Sequence, residues 1–298
     1  MANSIKDEIK ELYREGDLLT KIILINCGVF LTVALVDVVF FLAQSHFRVG
    51  EWLALPAEGV MSLTRFWTLV TYMFLHEDFI HFIFNILMLY WIGRLFALFF
   101  SSRDMVNMYI FGGLVGGLTF IASYNFFPVF SSHVHYASLR GASASVMALL
   151  VAVASYQPDY KVRFALIGEF AVKWVALVMV LISLINVHSE NPGGNFAHLG
   201  GALAGYLFTF YYKKGRNIAA WIGRVLDGVS NMFNRKPKWK VVVNNYENSH
   251  FNQKDADYNM RKKLEMDEID RILDKIKRSG FDSLTDEEKQ KLMKAGKK

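Results

Sequence analysis

The chain has 298 residues, of which 53% are hydrophobic and 15% aromatic, and its formal net charge is +6. Several apolar runs of membrane-spanning length lie between residues 20 and 212, which predicts an all-α polytopic membrane protein and excludes a soluble enzyme. The basic excess lies largely outside these runs, so it indicates topology and attraction to the lipid bilayer, with no nucleic-acid partner. The only cysteine, Cys27, excludes a disulfide framework and a cysteine-based metal site.

The pattern of apolar and charged stretches predicts four regions. A cytoplasmic N-terminal segment, with an amphipathic helical stripe, is followed by a six-helix membrane domain, a juxtamembrane amphipathic helix with a flexible basic and polar linker, and a small cytoplasmic helical hairpin. Their bounds are 1–19, 20–212, 213–263 and 264–298. The six spanning helices are expected at about 20–43, 68–99, 105–124, 141–156, 164–187 and 195–212.

Local patterns within these regions add finer expectations. The aromatic segment Gln44–Phe66 is typical of an interfacial stretch in the outer leaflet. Four glycines of the third helix predict tight helix contact. In the fifth helix, Glu169 and Lys173 have the i,i+4 spacing of an ion pair. In the hairpin, Gly280 is expected to close one helix, and Thr285-x-x-Glu288 is a capping box that opens the next.

The distribution of basic residues predicts the orientation. Lysines and arginines are concentrated before the first helix and in the segments after the second, fourth and sixth helices. The opposite loops carry only Arg48, Arg65 and Arg140. The positive-inside rule therefore predicts six crossings with the N- and C-termini in the cytoplasm.

Three polar clusters lie near the starts of the second, fourth and sixth helices. They contain His81 and Asn85, Ser143, and His198, respectively. Because even-numbered helices all run from outside to inside, their starts share the outer leaflet, so these four side chains can converge. Small residues flank Ser143, and this pattern at the end of a membrane helix is by itself more often a packing feature.

The chemistry of these residue types suggests acyl transfer. Ser143 becomes a useful nucleophile once a base takes its proton, and His198 is the nearest suitable base. The backbone N–H groups at the start of the fourth helix, with His81 and Asn85, can donate to a developing oxyanion. No carboxylate is placed to orient His198, so the pattern predicts a Ser–His dyad. Gly201 and Gly205 remove bulk between the fourth and sixth helices.

The remaining histidines predict no metal site. His46, His188 and His250 are expected in solvated loops, and His133-x-His135 offers too few ligands for a stable site. The predicted chemistry requires no cofactor.

The motifs together resemble the rhomboid family of intramembrane serine proteases. The resemblance covers about residues 20–212 and rests on Trp67-x-x-x-Thr71-Tyr72-Met73-Phe74-Leu75-His76, His81-x3-Asn85, Gly141-Ala142-Ser143 and Ala197-His198-x-x-Gly201-x3-Gly205. It implies a six-transmembrane-helix rhomboid-like bundle in which Ser143 is the nucleophile and His198 the general base. It also implies oxyanion roles for Asn85 and His81, and a supporting role for His76 on the second helix.

The same resemblance implies a serine endopeptidase that cleaves transmembrane segments of other membrane proteins near the outer face. Substrates would have small residues at the cut and reach the site between the second and fifth helices, with Phe170 and Trp174 as gate side chains. A C-terminal hairpin follows some bacterial rhomboids, which implies the bacterial cytoplasmic (inner) membrane and leaves the hairpin's cytoplasmic partner unknown.

Two departures from the family pattern keep alternatives open. Ala144 replaces a common glycine, and Met147 replaces a common tyrosine beneath the catalytic histidine. The alternatives are a catalytically weak or inactive rhomboid-fold protein that binds transmembrane helices, and a proton-coupled transporter or channel. Retention of both Ser143 and His198 argues against the first.

Overall fold

A computed structural model describes residues 13, 16–164, 168–189, 191–233, 268–277 and 283–295. The chain forms two compact units, Met1–Arg235 and Lys236–Lys298, and the described residues are mostly helical. The predicted amphipathic stripe of residues 1–12, the linker of residues 234–263 and the helix end at Gly280 lie outside the described residues, as does His250.

The first unit contains helices joined by short turns and two small strand pairs. The helices are α1 (Leu18–Leu42), α2 (Val49–Leu53), α3 (Gly59–Thr64), α4 (Thr68–Thr71), α5 (Phe79–Phe96), α6 (Ser102–Phe126), α7 (Ser143–Tyr156), α8 (Val172–Ile185), α9 (Pro192–Tyr212) and α10 (Ala220–Phe233). Single 3₁₀ turns occupy Tyr72–Phe74, Pro128–Phe130 and Asn186–His188. The antiparallel strand pairs are β1 (Leu55–Pro56) with β2 (Ser138–Leu139), and β3 (Lys161–Phe164) with β4 (Gly168–Ala171). The strand pairs qualify the all-α prediction.

Four long helices begin where the sequence supplies a capping side chain. In each case the side chain accepts a hydrogen bond from the backbone N–H three residues on, which satisfies a donor that the first helical turn leaves free. The caps are Asp17 for α1, Asp78 for α5, Ser101 for α6 and Asn191 for α9.

Within the described residues, three helices are long and apolar enough to cross a membrane: α1, α5 and α6. The apolar helices α7 and α8 are shorter, with 14 residues each. An integral membrane protein is therefore supported, while the count of six crossings stays a prediction.

The core of the membrane unit is built around α7. Helix α9 packs along α7 and α6, while α5 and α8 lie against other sides of α7. A Cβ added to Gly201 or Gly205 of α9 would collide with the carbonyl oxygen of Ala144 or Ala148. The predicted close approach of the fourth and sixth helices is thus confirmed, and so is the tight contact predicted for the α6 glycines, where an added Cβ on Gly116 would meet Ala144.

The first part of the predicted second helix, which is longer than one crossing needs, is irregular and separate from the helix that follows. Residues 68–74 form α4 and a 3₁₀ turn, and Leu75 is extended before α5 begins at Phe79. The break has a local cause, because the Asp78 carboxylate accepts from the backbone N–H of His81 and starts a new helix. His76 therefore lies in the connection before α5 and not within a helix.

The predicted start of the fifth helix is also wrong. The chain forms the β3–β4 hairpin first, with Arg163 opposite Glu169, and α8 begins only at Val172. Gly168 has a φ of +93°, a backbone conformation that interrupts a right-handed helix. Glu169 is consequently on a strand, and Lys173 pairs with Asp159 instead.

Helix α10 confirms the predicted amphipathic helix after α9. Its Ile222 is buried, while Trp221, Val225 and Val229 are exposed. Its start is fixed to the start of α6, since Asn217 donates to Asp104 at 2.6 Å and Arg103 pairs with Asp227. Its place on the inner membrane surface stays a prediction.

The second unit contains α11 (residues 268–277) and α12 (Asp286–Ala295). The predicted capping box is confirmed, because the Glu288 carboxylate accepts from the Thr285 backbone N–H at 2.8 Å. Lys275 also donates to Glu288, and this hydrogen bond lowers the pKa of the Glu288 carboxyl below its usual value. The two helices are joined further by a Lys291–Glu268 ion pair.

Candidate active site

Ser143 is the first residue of α7, and a glycine shapes the approach to it. Gly141 has a φ of +120°, a conformation that favours glycine, and its N–H donates to the Tyr72 carbonyl at 2.9 Å. The N-cap residue Ala142 makes no side-chain capping hydrogen bond. The first-turn N–H groups, including that of Ser143, lack an intrahelical acceptor, so they lie where an anion would be stabilised.

The Ser143 hydroxyl lies next to the His198 ring of α9. The distance between Ser143 Oγ and His198 Nε2 is 2.8 Å, within hydrogen-bonding range. The two residues are 55 positions apart in the chain, and their contact depends on the close α7–α9 packing at Gly201 and Gly205.

The other ring nitrogen of His198 contacts a residue that the sequence analysis did not identify. Ser183 Oγ, on α8, lies 3.2 Å from His198 Nδ1, and it also donates to the Met179 carbonyl at 3.0 Å. Ser183 is 3% exposed. The available signal was a lone hydroxyl in the apolar part of the helix that follows Lys173, which does not by itself distinguish packing from a role at a site.

A cavity of about 290 Å³ adjoins the Ser143–His198 pair. Its wall is mostly apolar and is contributed by α5, α7, α8 and α9. The lining residues are Phe84, Asn85, Met88, Ile92, Ser143, Val146, Met147, Leu150, Met179 and His198. The structure thus brings Asn85 to the same cavity as Ser143 and His198, with its Nδ2 also donating to the His81 carbonyl at 2.9 Å.

His81 lies beside Gly141 and is not among the residues that line the cavity. A Cβ added to Gly141 would lie 3.1 Å from His81 Nε2 and 3.7 Å from Ser143 Oγ, so both side chains border this glycine. The ring of His76 packs edge-on against that of His81, with centroids 5.6 Å apart, and against Phe82. The rings of His76 and His81 are thus in contact, and the supporting role of His76 at the site stays a prediction.

The two predicted gate residues are away from this cavity. Phe170 lies in β4, and Trp174 in the first turn of α8. The α8 side chain that lines the cavity is Met179. The gate role of Phe170 and Trp174 stays a prediction, and the placement of Phe170 on the fifth helix is wrong.

The structure gives a physical account of the two departures from the family pattern. Ala144 is 1% exposed, and its Cβ fits because Gly116 of α6 faces it. Met147 is buried and lines the cavity together with His198. Neither side chain separates Ser143 from His198.

Among the described residues, no group of three or more His, Cys, Asp or Glu side chains could hold a metal ion. His133 Nδ1 is 3.0 Å from the Ser132 hydroxyl, and His135 Nδ1 is 3.3 Å from Glu58 Oε2. The two loop histidines thus contact different partners.

The arrangement has the parts that acyl transfer needs: a hydroxyl, a basic ring nitrogen within hydrogen-bonding distance, and donors beside the hydroxyl. Comparison with known proteins identifies the family of the chain. The family model described as Rhomboid domain matches residues 63–215, which include Ser143, His198, His81, Asn85 and His76. A family of unknown function (DUF6576) matches residues 252–298. No curated protein matches the chain. The resemblance read from the motifs is confirmed, and the chain belongs to the rhomboid family.

Proposed function

We propose that the protein is an intramembrane serine endopeptidase that cleaves transmembrane segments of other membrane proteins with Ser143 and His198. The observation that carries the proposal is the 2.8 Å contact between Ser143 Oγ and His198 Nε2. Rhomboid-family proteins are generally intramembrane serine proteases, which supports the reaction class. The position of Ser143 at a helix N-terminus supports it further, because the free N–H groups favour negative charge there.

The reaction proceeds through an acyl-enzyme. Ser143 Oγ attacks the substrate carbonyl carbon while His198 Nε2 takes the hydroxyl proton. The oxyanion accepts hydrogen bonds from the α7 N-terminus, with His81 and Asn85 as further donors. When the intermediate collapses, the peptide C–N bond breaks and His198 gives its proton to the leaving amine.

Deacylation reverses these roles. Water attacks the acyl carbonyl carbon while His198 takes one of its protons. Collapse of the second intermediate breaks the ester bond, returns a proton to Ser143 Oγ and releases a carboxylic acid. The reaction as a whole consumes one water molecule and needs no metal ion or cofactor.

The surroundings of the pair favour an apolar substrate. The cavity wall is built mainly from methionine, leucine, isoleucine, valine and phenylalanine side chains. A transmembrane segment carries such side chains and is available in the bilayer. We propose access between α5 and α8, since side chains of both helices line the cavity, and cleavage near the outer face.

The setting in the cell follows from the same proposal. The protein would lie in the cytoplasmic membrane of a bacterium with six crossings and both termini in the cytoplasm, as the distribution of basic residues predicts. The second unit would bind a cytoplasmic partner. Deletion of residues 244–298 is then expected to leave cleavage of a model substrate in detergent intact.

The experiment is cleavage of a model transmembrane substrate by the purified full chain in lipid nanodiscs. Wild type is compared with Ser143→Ala, His198→Ala and the control Ser145→Ala, which alters a buried α7 hydroxyl that has no hydrogen-bond partner among the described residues. Both site variants are expected to be at least about 10³-fold slower, and the control close to wild type.

Thermal unfolding of each variant verifies that it is folded. Cleavage by Ser143→Ala at the wild-type rate would contradict the mechanism. If no version cuts but all bind the substrate helix, the protein is an inactive family member that binds transmembrane segments.

A further inference from the structure

We propose that Ser183 is a positioning residue that holds His198 in the tautomer able to accept the Ser143 proton. The inference rests on the proposed function, because it assigns a partner to the general base. Within the described residues, the hydrogen-bond partners of the His198 ring are two hydroxyls, that of Ser143 at Nε2 and that of Ser183 at Nδ1.

The direction of the Ser183 contact follows from counting protons. A serine hydroxyl has one hydrogen and two lone pairs. The Met179 carbonyl, 3.0 Å from Ser183 Oγ, can only accept, so it takes the Ser183 hydrogen. What Ser183 then presents to His198 Nδ1, 3.2 Å away, is a lone pair.

The Ser183 lone pair that faces Nδ1 can accept a hydrogen bond only if Nδ1 carries hydrogen. In a neutral imidazole the other nitrogen, Nε2, is then unprotonated and faces the Ser143 hydroxyl as an acceptor. The opposite tautomer would place a hydrogen on Nε2, where it points at Ser143 Oγ and cannot take a proton from it. The Ser183 contact therefore favours the reactive form.

Burial strengthens this preference. Ser183 is 3% exposed, and its helix is otherwise apolar around it. The loss of a hydrogen-bond partner costs more free energy for a buried polar group than for one exposed to water. In the tautomer with hydrogen on Nε2, the Nδ1 lone pair would face a lone pair of the Ser183 hydroxyl. Only if Ser183 broke its hydrogen bond to the Met179 carbonyl could it donate to Nδ1 instead.

The contact also means that Ser143 and the His198 ring are positioned by different helices. Ser143 belongs to α7 and His198 to α9, whereas the orientation of the His198 ring is completed by α8. Displacement of α8 would remove the acceptor from Nδ1 without moving Ser143.

The test compares Ser183→Ala, Ser183→Thr and the control Ser145→Ala in the full chain in nanodiscs. Ser183→Ala is expected to lower kcat roughly ten- to a hundred-fold with little change in KM, because a hydrogen bond to a group that becomes charged in the reaction is lost. Ser183→Thr keeps the hydroxyl and is expected to stay within about threefold of wild type.

The deciding measurement is the tautomer of His198 by NMR with ¹⁵N-labelled histidine, assigned by comparison with His198→Gln. Wild type and Ser183→Thr are expected to carry hydrogen on Nδ1, and Ser183→Ala to shift toward hydrogen on Nε2. An Nδ1-protonated ring in Ser183→Ala overturns the proposal whatever its rate, because the loss would then be structural. If wild type does not cleave, the proposed function fails, but the tautomer of the Ser183 variants still decides the role of Ser183.

Discussion

Helices α7 and α8 have the same length and are both apolar, yet they occupy opposite environments. Ten of the 14 residues of α7 are buried, but only Val172, Ala176 and Ser183 are buried in α8. The sequences explain the difference, because seven of the α7 residues are alanine or serine, whereas α8 is mostly large and branched. Small side chains let neighbouring backbones approach in a membrane, and large ones fill space toward lipid.

This difference separates two tasks. Ser143, the proposed nucleophile, is the first residue of the enclosed helix α7, where α6 and α9 leave no room for displacement. The acceptor for the His198 ring comes from the peripheral helix, which presents Trp174 and Val178 at its surface. In the proposed mechanism, α7 thus fixes the position of the Ser143 hydroxyl. The more exposed helix α8 supplies the hydrogen-bond partner of His198 Nδ1.

The largest effect is expected from a substitution that separates α7 from α9. Gly201→Val would place a side chain against the backbone of Ala144. Because the clash is with backbone atoms, no side-chain rotation can relieve it. We expect a loss of about 3 kcal/mol or more in unfolding free energy and at least a hundred-fold loss of cleavage. Gly228→Ala in α10 is the matched control, since nothing lies within 4 Å of its added Cβ. Thermal unfolding and cleavage measured together provide the test, and a tolerated valine would contradict the packing.

A smaller effect compares the two helices directly. Ala148→Leu in α7 adds volume where the helix meets Gly112 and Gly205, and is expected to cost about 1–3 kcal/mol. Val178→Ala in α8, at a side chain that is 52% exposed, is expected to stay within about 0.5 kcal/mol. Denaturant unfolding in detergent measures both. Equal losses would mean that α8 is as enclosed as α7.

The gate role predicted for Trp174 gives a third test. Trp174 is nine residues from Ser183, or about 13 Å along the helix, and it does not line the cavity. Trp174→Ala is therefore expected to change kcat/KM by less than about threefold. A change of tenfold or more, in a variant with unchanged thermal stability, would restore the sequence-based gate.

The smallest effect concerns the approach to α8. Asp159→Asn removes the partner of Lys173, and because both side chains are substantially exposed we expect a loss of about 0–1 kcal/mol. Glu169→Gln, at the residue first predicted to pair with Lys173, is expected to have no effect on that pair. A larger loss for Glu169→Gln in thermal unfolding would contradict the hairpin register.

The sequence predicted the convergence at the site better than it predicted the helix bounds. Helix direction alone placed the starts of α5, α7 and α9 in one leaflet, and Gly201 and Gly205 indicated which backbones touch. The β3–β4 hairpin was missed because Glu169 and Lys173 have the i,i+4 spacing of a helix, so the charged residues of this stretch favoured a helix over a strand.

The contact of Ser183 could not be predicted for a different reason. It depends on the rotation of α8 about its own axis, which is set by packing against α7 and α9. A membrane helix that is apolar on all sides carries no periodic signal of which face points inward. A single hydroxyl then gives no direction until the neighbouring helices are in place.

The shortness of α7 has a consequence for where a substrate would be cut. At 1.5 Å per residue its 14 residues extend about 21 Å, while a bilayer's hydrocarbon core is about 30 Å thick. If the longer helices α6 and α9, which pack against α7, cross the bilayer, they would hold Ser143 at a fixed depth. For a protease of this kind the bilayer thickness would then help to set the cleavage position. In a thicker bilayer, a different peptide bond of the same substrate would lie at the depth of Ser143.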